Sequence, residues 1–181
     1  AEADASPKAT FGPEQVDCLV NFQRSSALDE VVLLNVASQL PLSELAEFRD
    51  LFRDLDVDGN GRLDASELVA AMQRAGLEAD VAKQTAEKFA RAGSVEFSRF
   101  VAALVPSRPD VLMPYLCDAF NRLDTDGDGY ITADELRDLL AKTSLKQTAS
   151  QAVENLLGAV GGGEQRVTLE SLTKHVSELC A

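Results

Sequence analysis

The sequence predicts an all-α protein of four helix-loop-helix units gathered into two lobes, with an amphipathic helix ahead of them. Three observations carry that expectation. Leu63, Val95, Ile131 and Val167 mark a repeat, spaced 32, 36 and 36 residues apart. Apolar residues at helical steps flank every mark. Three prolines fall between the second and third marks. A period of this length signals one supersecondary unit used repeatedly, and steps of three and four residues give each helix a single face for a core.

Residues 1–14 mix Ala, Ser, Pro, Gly and charge without period, which predicts a mobile leader. Over 15–41, Leu19, Phe22, Leu28, Val32, Val36 and Leu40 form one apolar stripe, on one helix or on two broken near Ser25 and Ser26; Pro41 ends it. The first lobe, 42–105, carries Leu45, Phe48, Phe52 and Leu55 before its first mark and Leu68 and Met72 after it. Val81 and Phe89 precede the second mark, and Phe100 and Leu104 follow it. Pro106, Pro109 and Pro114 predict a linker over 106–114, because proline cannot donate to a helical hydrogen bond. The second lobe, 115–181, repeats the pattern with Leu116, Phe120 and Leu123, Leu136 and Leu140, Val153, Leu157 and Val160, and Leu172, Val176 and Leu179. A short β-ladder is expected across each pair of loops.

The chain has 181 residues and a formal net charge of -13, from 30 acidic and 17 basic residues. That excess argues against nucleic acid and against anionic membrane surfaces, both of which need basic patches. Apolar residues make up 45% of the chain, enough for real cores. No run approaches a membrane span or a signal peptide, so a soluble, cytoplasmic protein is expected. The first residue is Ala1, which reads as a processed chain or one cut from something longer. Cys18, Cys117 and Cys180 are far apart and in no metal-ligand spacing, and are expected as reduced, small apolar residues.

Two of the four loops carry chemistry. The first runs Asp56-Val57-Asp58-Gly59-Asn60-Gly61-Arg62-Leu63-Asp64-Ala65-Ser66-Glu67, and the third Asp124-Thr125-Asp126-Gly127-Asp128-Gly129-Tyr130-Ile131-Thr132-Ala133-Asp134-Glu135. Both satisfy the EF-hand calcium pattern: oxygen side chains at loop positions 1, 3 and 5, Gly at 6, an aliphatic residue at 8 and Glu at 12. Calcium, the expected cofactor at two sites, wants six to eight oxygens at about 2.3–2.6 Å. Asp56, Asp58 and Asn60 are short enough to reach a central ion from alternate positions. Gly61 permits the bend that turns the Arg62 carbonyl inward. Asp64 binds directly or through water, and Glu67, opening the exit helix, closes the shell with both oxygens. In the third loop the same roles fall to Asp124, Asp126, Asp128, the Tyr130 carbonyl, Thr132 through water, and Glu135. Two bound ions would take the formal charge from -13 to -9.

The second and fourth loops are expected to be silent. The second is short and has Arg99 where the bidentate Glu should be, a charge that opposes a cation. The fourth, Gly161-Gly162-Gly163-Glu164-Gln165-Arg166-Val167-Thr168-Leu169-Glu170-Ser171, offers almost no early carboxylate and ends on Ser171. Val95 and Val167 should supply the second strand of each ladder. His175, the single histidine, reads as a packed or partly exposed helix residue, and no nucleophile elbow, phosphate loop or zinc motif accompanies it. No enzymatic activity is expected.

The run Leu19-Val20-Asn21-Phe22-Gln23-Arg24-Ser25-Ser26-Ala27-Leu28, continuing through Val36-Ala37-Ser38-Gln39-Leu40 to Leu51-Phe52-Arg53-Asp54-Leu55-Asp56, resembles the junction and calmodulin-like domain of calcium-dependent protein kinases of plants and protists. The likeness covers roughly residues 18–181. It implies a regulatory domain that follows a Ser/Thr kinase, binds calcium through its hands and rearranges around the junction to relieve autoinhibition. The calcium ligands it implies are the residues named above. Three features depart from the family: no kinase motif is present, the second and fourth hands look silent, and the junction carries Arg24 as its one basic residue against Asp17, Asp29 and Glu30.

The resulting expectation is a calcium sensor and regulatory module that changes helix orientation on binding about two ions and acts through a protein partner, either a kinase domain or a subunit of a larger assembly. The alternative is a structural interaction subunit in which calcium mainly stabilises the fold. The 15–41 segment either docks in an apolar groove of a lobe or simply completes the fold. With Met72 and Met113 as its two methionines, the chain favours a fixed partner over many.

Overall fold

In a computed structural model of the chain, residues 11–25, 27–90, 93–142 and 166–178 are described. Helix α1 spans Pro13–Arg24, starting earlier than the expected boundary because proline suits a first helical position, where its missing amide costs nothing. The Gly12 amide donates to Gln15 Oε1 at 3.0 Å and fastens this start. At the other end the Ser25 hydroxyl donates back to the Phe22 carbonyl at 2.6 Å, closing α1 at the expected break. Helix α2 then spans Ala27–Gln39. The 15–41 segment is therefore two helices.

Helix α3 (Leu42–Leu55) leads into strand β1 (Arg62–Asp64) and helix α4 (Ala65–Arg74), making hand 1. Helix α5 (Ala79–Phe89), strand β2 (Ser94–Glu96) and helix α6 (Phe97–Leu104) make hand 2. A 3-10 turn at Val105–Ser107 precedes α7 (Pro109–Leu123), which with β3 (Tyr130–Thr132) and α8 (Ala133–Lys142) makes hand 3. Of hand 4, β4 (Arg166–Thr168) and α9 (Leu169–Glu178) are described. The leader up to residue 10, the first helix expected for hand 4 and the Gly161–Gly163 run lie outside the described residues.

Two antiparallel ladders pair the hands. Leu63 faces Val95, and Ile131 faces Val167, all four fully buried, so the repeat marks are the centres of the ladders. Above the first ladder Phe52 meets Phe97 and Phe100 edge-on at 5.4 Å centroid separations, the arrangement aromatic quadrupoles favour. Phe89 and Phe100 are among the largest fully buried side chains.

The expected linker over 106–114 is a correction. Most of it is helix: α7 begins at Pro109 and continues through Pro114. Pro109 occupies the first helical position, where proline is welcome. Pro114 removes one hydrogen bond near the start of the helix, on a side chain that faces solvent, so the Asp110 carbonyl it leaves can be hydrated. Buried Val111 and Leu112 hold this first stretch of α7 against the core.

α2 lies between α6 of the first lobe and α7 of the second, while α1 packs on α5 and α6. Val32, Leu33, Val36, Ala37 and Leu40 are buried, and from Asp29 onward Ser38 is the one fully exposed residue of α2. The N-terminal helices are thus part of one core with both lobes.

The cysteines bring a second correction. Cys117 is a free thiol, exposed on α7, but Cys18, 1% exposed on α1, is disulfide-bonded rather than reduced. Among the described residues no helix is long and apolar enough to cross a membrane.

Candidate metal centre

Each acidic loop is wound by its own hydrogen bonds. In hand 1, Asp56 accepts from the Asn60 amide at 3.1 Å and the Gly61 amide at 2.9 Å, Asp58 accepts from the Asn60 amide at 3.0 Å, and Asn60 Oδ1 accepts from the Arg62 amide at 2.8 Å. Such side-chain-to-backbone bonds are what short acidic and amide residues do in tight turns. Hand 3 repeats the scheme: Asp124 accepts from the Gly127, Asp128 and Gly129 amides, Asp126 from the Asp128 amide, and Asp128 from the Tyr130 amide at 2.9 Å. Gly61 and Gly129 have φ of 78° and 85°, a left-handed bend that disfavours a Cβ.

The exit helices reach back to the loop entrances. Glu67 Oε1 accepts from the Val57 amide at 2.8 Å while Oε2 accepts from the Asp64 amide at 3.0 Å. Glu135 does the same with the Thr125 amide at 2.6 Å and the Thr132 amide at 2.9 Å. The carboxylate at position 12 is thereby tied both to the first residues of the loop and to its own helix.

Among the described residues, two groups of carboxylates converge. One oxygen each from Asp56, Asp58 and Glu67 lie within 4.8 Å of one another, and so do one each from Asp124, Asp126 and Asp128. Like charges at this spacing repel, and a divalent cation is the natural occupant of an all-oxygen set. The donor chemistry fits calcium.

The remaining expected residues are placed differently. The Asp64 carboxylate caps α4, accepting from the Glu67 amide at 2.9 Å and the Ser66 hydroxyl at 2.6 Å, and the Ser66 bond foremost holds it below its ordinary pKa. Glu135 stands outside the second group of three and is held instead by four bonds from Thr125 and Thr132. Burial pushes its carboxyl up, but those bonds bring it below the usual value overall. Asp126 goes the other way: the Asp128 amide pulls it down, but desolvation and the charges of Asp128 and Glu135 raise it net. Thr125, at position 2, is a contributor that the position-by-position pattern overlooked, since that position is unconstrained. Its hydroxyl supplies what Val57 in hand 1 cannot.

Arg62 and Tyr130 spend their side chains across the ladders. Arg62 pairs with Glu96 at 2.9 Å, and the Arg166 guanidinium lies 4.9 Å from the Tyr130 ring centre. Their carbonyls are what remains for the loops. In hands 2 and 4 the residues at the twelfth loop position have other work: Ser171 exchanges hydrogen bonds with Thr168 at the start of α9, and Arg99 turns to the N-terminal helices.

Comparison with known proteins matches the same loops. The EF hand domain family matches residues 47–75, and a second EF-hand domain family matches 115–146. The probable calcium-binding protein CML18 of Arabidopsis thaliana is 38% identical over 117 residues, covering 60% of this chain and 69% of that protein. The probable calcium-binding protein CML11 of Oryza sativa subsp. japonica is 32% identical over 143 residues, covering 74% and 67%. Calcium-dependent protein kinase 11 of the same rice is 28% identical over 147 residues, covering 78% of this chain and 25% of the kinase. The chain therefore spans about a quarter of that kinase's length.

Proposed function

We infer a function from one premise: the chain belongs to the EF-hand calcium-binding family. It is a calcium sensor module that takes one ion in hand 1 and one in hand 3 and passes the change to a protein partner. In hand 1 the ion would be held by Asp56, Asp58, Asn60, the Arg62 carbonyl and Glu67, with Asp64 at the ninth position. In hand 3 it would be held by Asp124, Asp126, Asp128, the Tyr130 carbonyl and Glu135, with Thr132 at the ninth.

The observation that carries this reading is the reach of Glu67 and Glu135 from the exit helix to the loop entrance. A ligand so placed makes the angle of α4 or α8 depend on what fills the loop. The bound ion supplies charge neutralisation and a fixed centre; the protein supplies helices whose orientation follows. The same sites in an attached or separate kinase, or in a larger assembly, would regulate the neighbour by that reorientation.

The alternative, a structural subunit with calcium as a staple, is favoured by the burial of α1 and α2 against both lobes. Chelation separates the two. A sensor keeps its helical circular dichroism in chelator while the distance between spin labels on α3 and α4 changes. Cooperative loss of helix in chelator would sink the sensor and favour the staple.

A further inference from the structure

The exit helices of the two silent hands close on the same place. Arg99 stands on α6 at the position where hand 2 would carry its closing carboxylate. Its guanidinium pairs with Glu30 of α2 and lies 5.5 Å from the ring centres of Phe22 on α1 and of Phe89 on α5. From the other lobe, His175 of α9 places Nε2 3.2 Å from Asp29 Oδ2. Asp29 and Glu30 are consecutive and lie in the first turn of α2, where acidic residues favour the helix. They are not solvated surface charges: the Asp29 side chain is 0% exposed and that of Glu30 13%, against 21% for Arg99 and 29% for His175. Carboxylates withdrawn this far from water are stable only with partners in place.

We propose that the two calcium-silent hands form a two-point clasp, Arg99 on Glu30 and His175 on Asp29, that grips the first turn of α2 and holds the α1–α2 arm across both lobes. Hand 2 has exchanged a metal ligand for an anchor. The grip is joined to the competent hands through the ladders, because β2 pairs with β1 and β4 with β3. Arg99 and His175 are positioning residues in this scheme: the fork of Arg99 meets a carboxylate and two aromatic faces at once, a combination that suits guanidinium.

The test is hydrogen exchange by mass spectrometry on the full chain, comparing peptides of α2 with peptides of α8. Arg99→Met, Glu30→Gln and His175→Gln should each speed exchange in α2 by about tenfold, with α8 unchanged. Arg99→Met combined with Glu30→Gln should be no faster than the faster single variant, since both break the same ion pair. Arg99→Lys, which keeps the charge but loses the planar fork, should recover only part of the protection and serves where Arg99→Met does not fold. Exchange in α2 within about twofold of the original chain in either arm would overturn the two-point clasp, as would equal acceleration in α2 and α8. These readouts need no calcium, so a failure of the metal assignment leaves them intact.

Discussion

Replacing Val95 by Ala tests whether hand 2 is structurally indispensable. Val95 is fully buried at the centre of β2, opposite Leu63 of the acidic first loop. The change removes two methyl groups, each worth about 0.8 kcal/mol of transfer free energy. A cavity contribution follows because the opposing Leu63 cannot collapse into the space without breaking the ladder, so the expected loss is about 2 kcal/mol. That is a large share of the roughly 5–15 kcal/mol by which domains are stable. Val57 provides the internal control: it is the same residue type, 80% exposed at the second position of the first loop, and Val57→Ala should shift stability by no more than about 0.5 kcal/mol. Urea unfolding of both variants followed by circular dichroism gives the comparison. The ladder should also transmit the damage, so hand 1 of Val95→Ala should need more free calcium to fill while hand 3 is unchanged. Equal midpoints for the two variants would refute the reasoning that the second hand earns its place by packing.

Three further outcomes follow from particular residues. Gly61→Ala should cost about 1–2 kcal/mol from backbone strain alone, since φ is 78° and nothing lies within 4 Å of the added Cβ; a urea midpoint equal to that of the original chain would contradict it. Glu96→Ala should change stability by less than about 0.5 kcal/mol, because the Arg62–Glu96 pair is over half exposed on both sides, and a larger shift in the same assay would show the pair to be more than a surface contact. The hydrogen bond from His175 to Asp29, opposed by burial and helped by the charges of Asp29 and Glu178, raises the His175 pKa above 6.5. Its stabilisation is therefore fully present below that value and lost as pH rises through the folded-state pKa, so His175→Gln should cost more at about pH 6 than at alkaline pH, and a cost that grows with pH would reverse the sign.

Much of this was legible in the sequence because the governing interactions are local. A calcium loop is wound by bonds spanning two to five residues, so Asp56, Asp58, Asn60 and Gly61 announce it by spacing, and the 3.6-residue period of Phe48, Phe52 and Leu55 fixes which face meets the core. Leu63 and Val95 were legible as partners because each recurs at the same phase of a repeat. Pro114 misled because a proline is read as a helix end, while an early, exposed turn of α7 tolerates the lost bond. The partnership of His175 with Asp29 spans 146 residues, and that of Arg99 with Glu30 spans 69; no local pattern encodes them. Arg99 was visible as something that repels a cation, but its positive role is written in α1 and α2 and needs the fold to be read. Asp64 shows a subtler limit: its position suits both a calcium shell and a helix cap, and the structure displays the cap.

The most direct measurement is a calcium titration of the full chain by calorimetry, repeated for Glu67→Gln, Glu135→Gln and the double variant. The account predicts one ion for each of the two carboxylate groups, one ion for each single variant and none for the double variant. Undiminished binding by the double variant, or ions retained in excess of the two acidic loops, would contradict it.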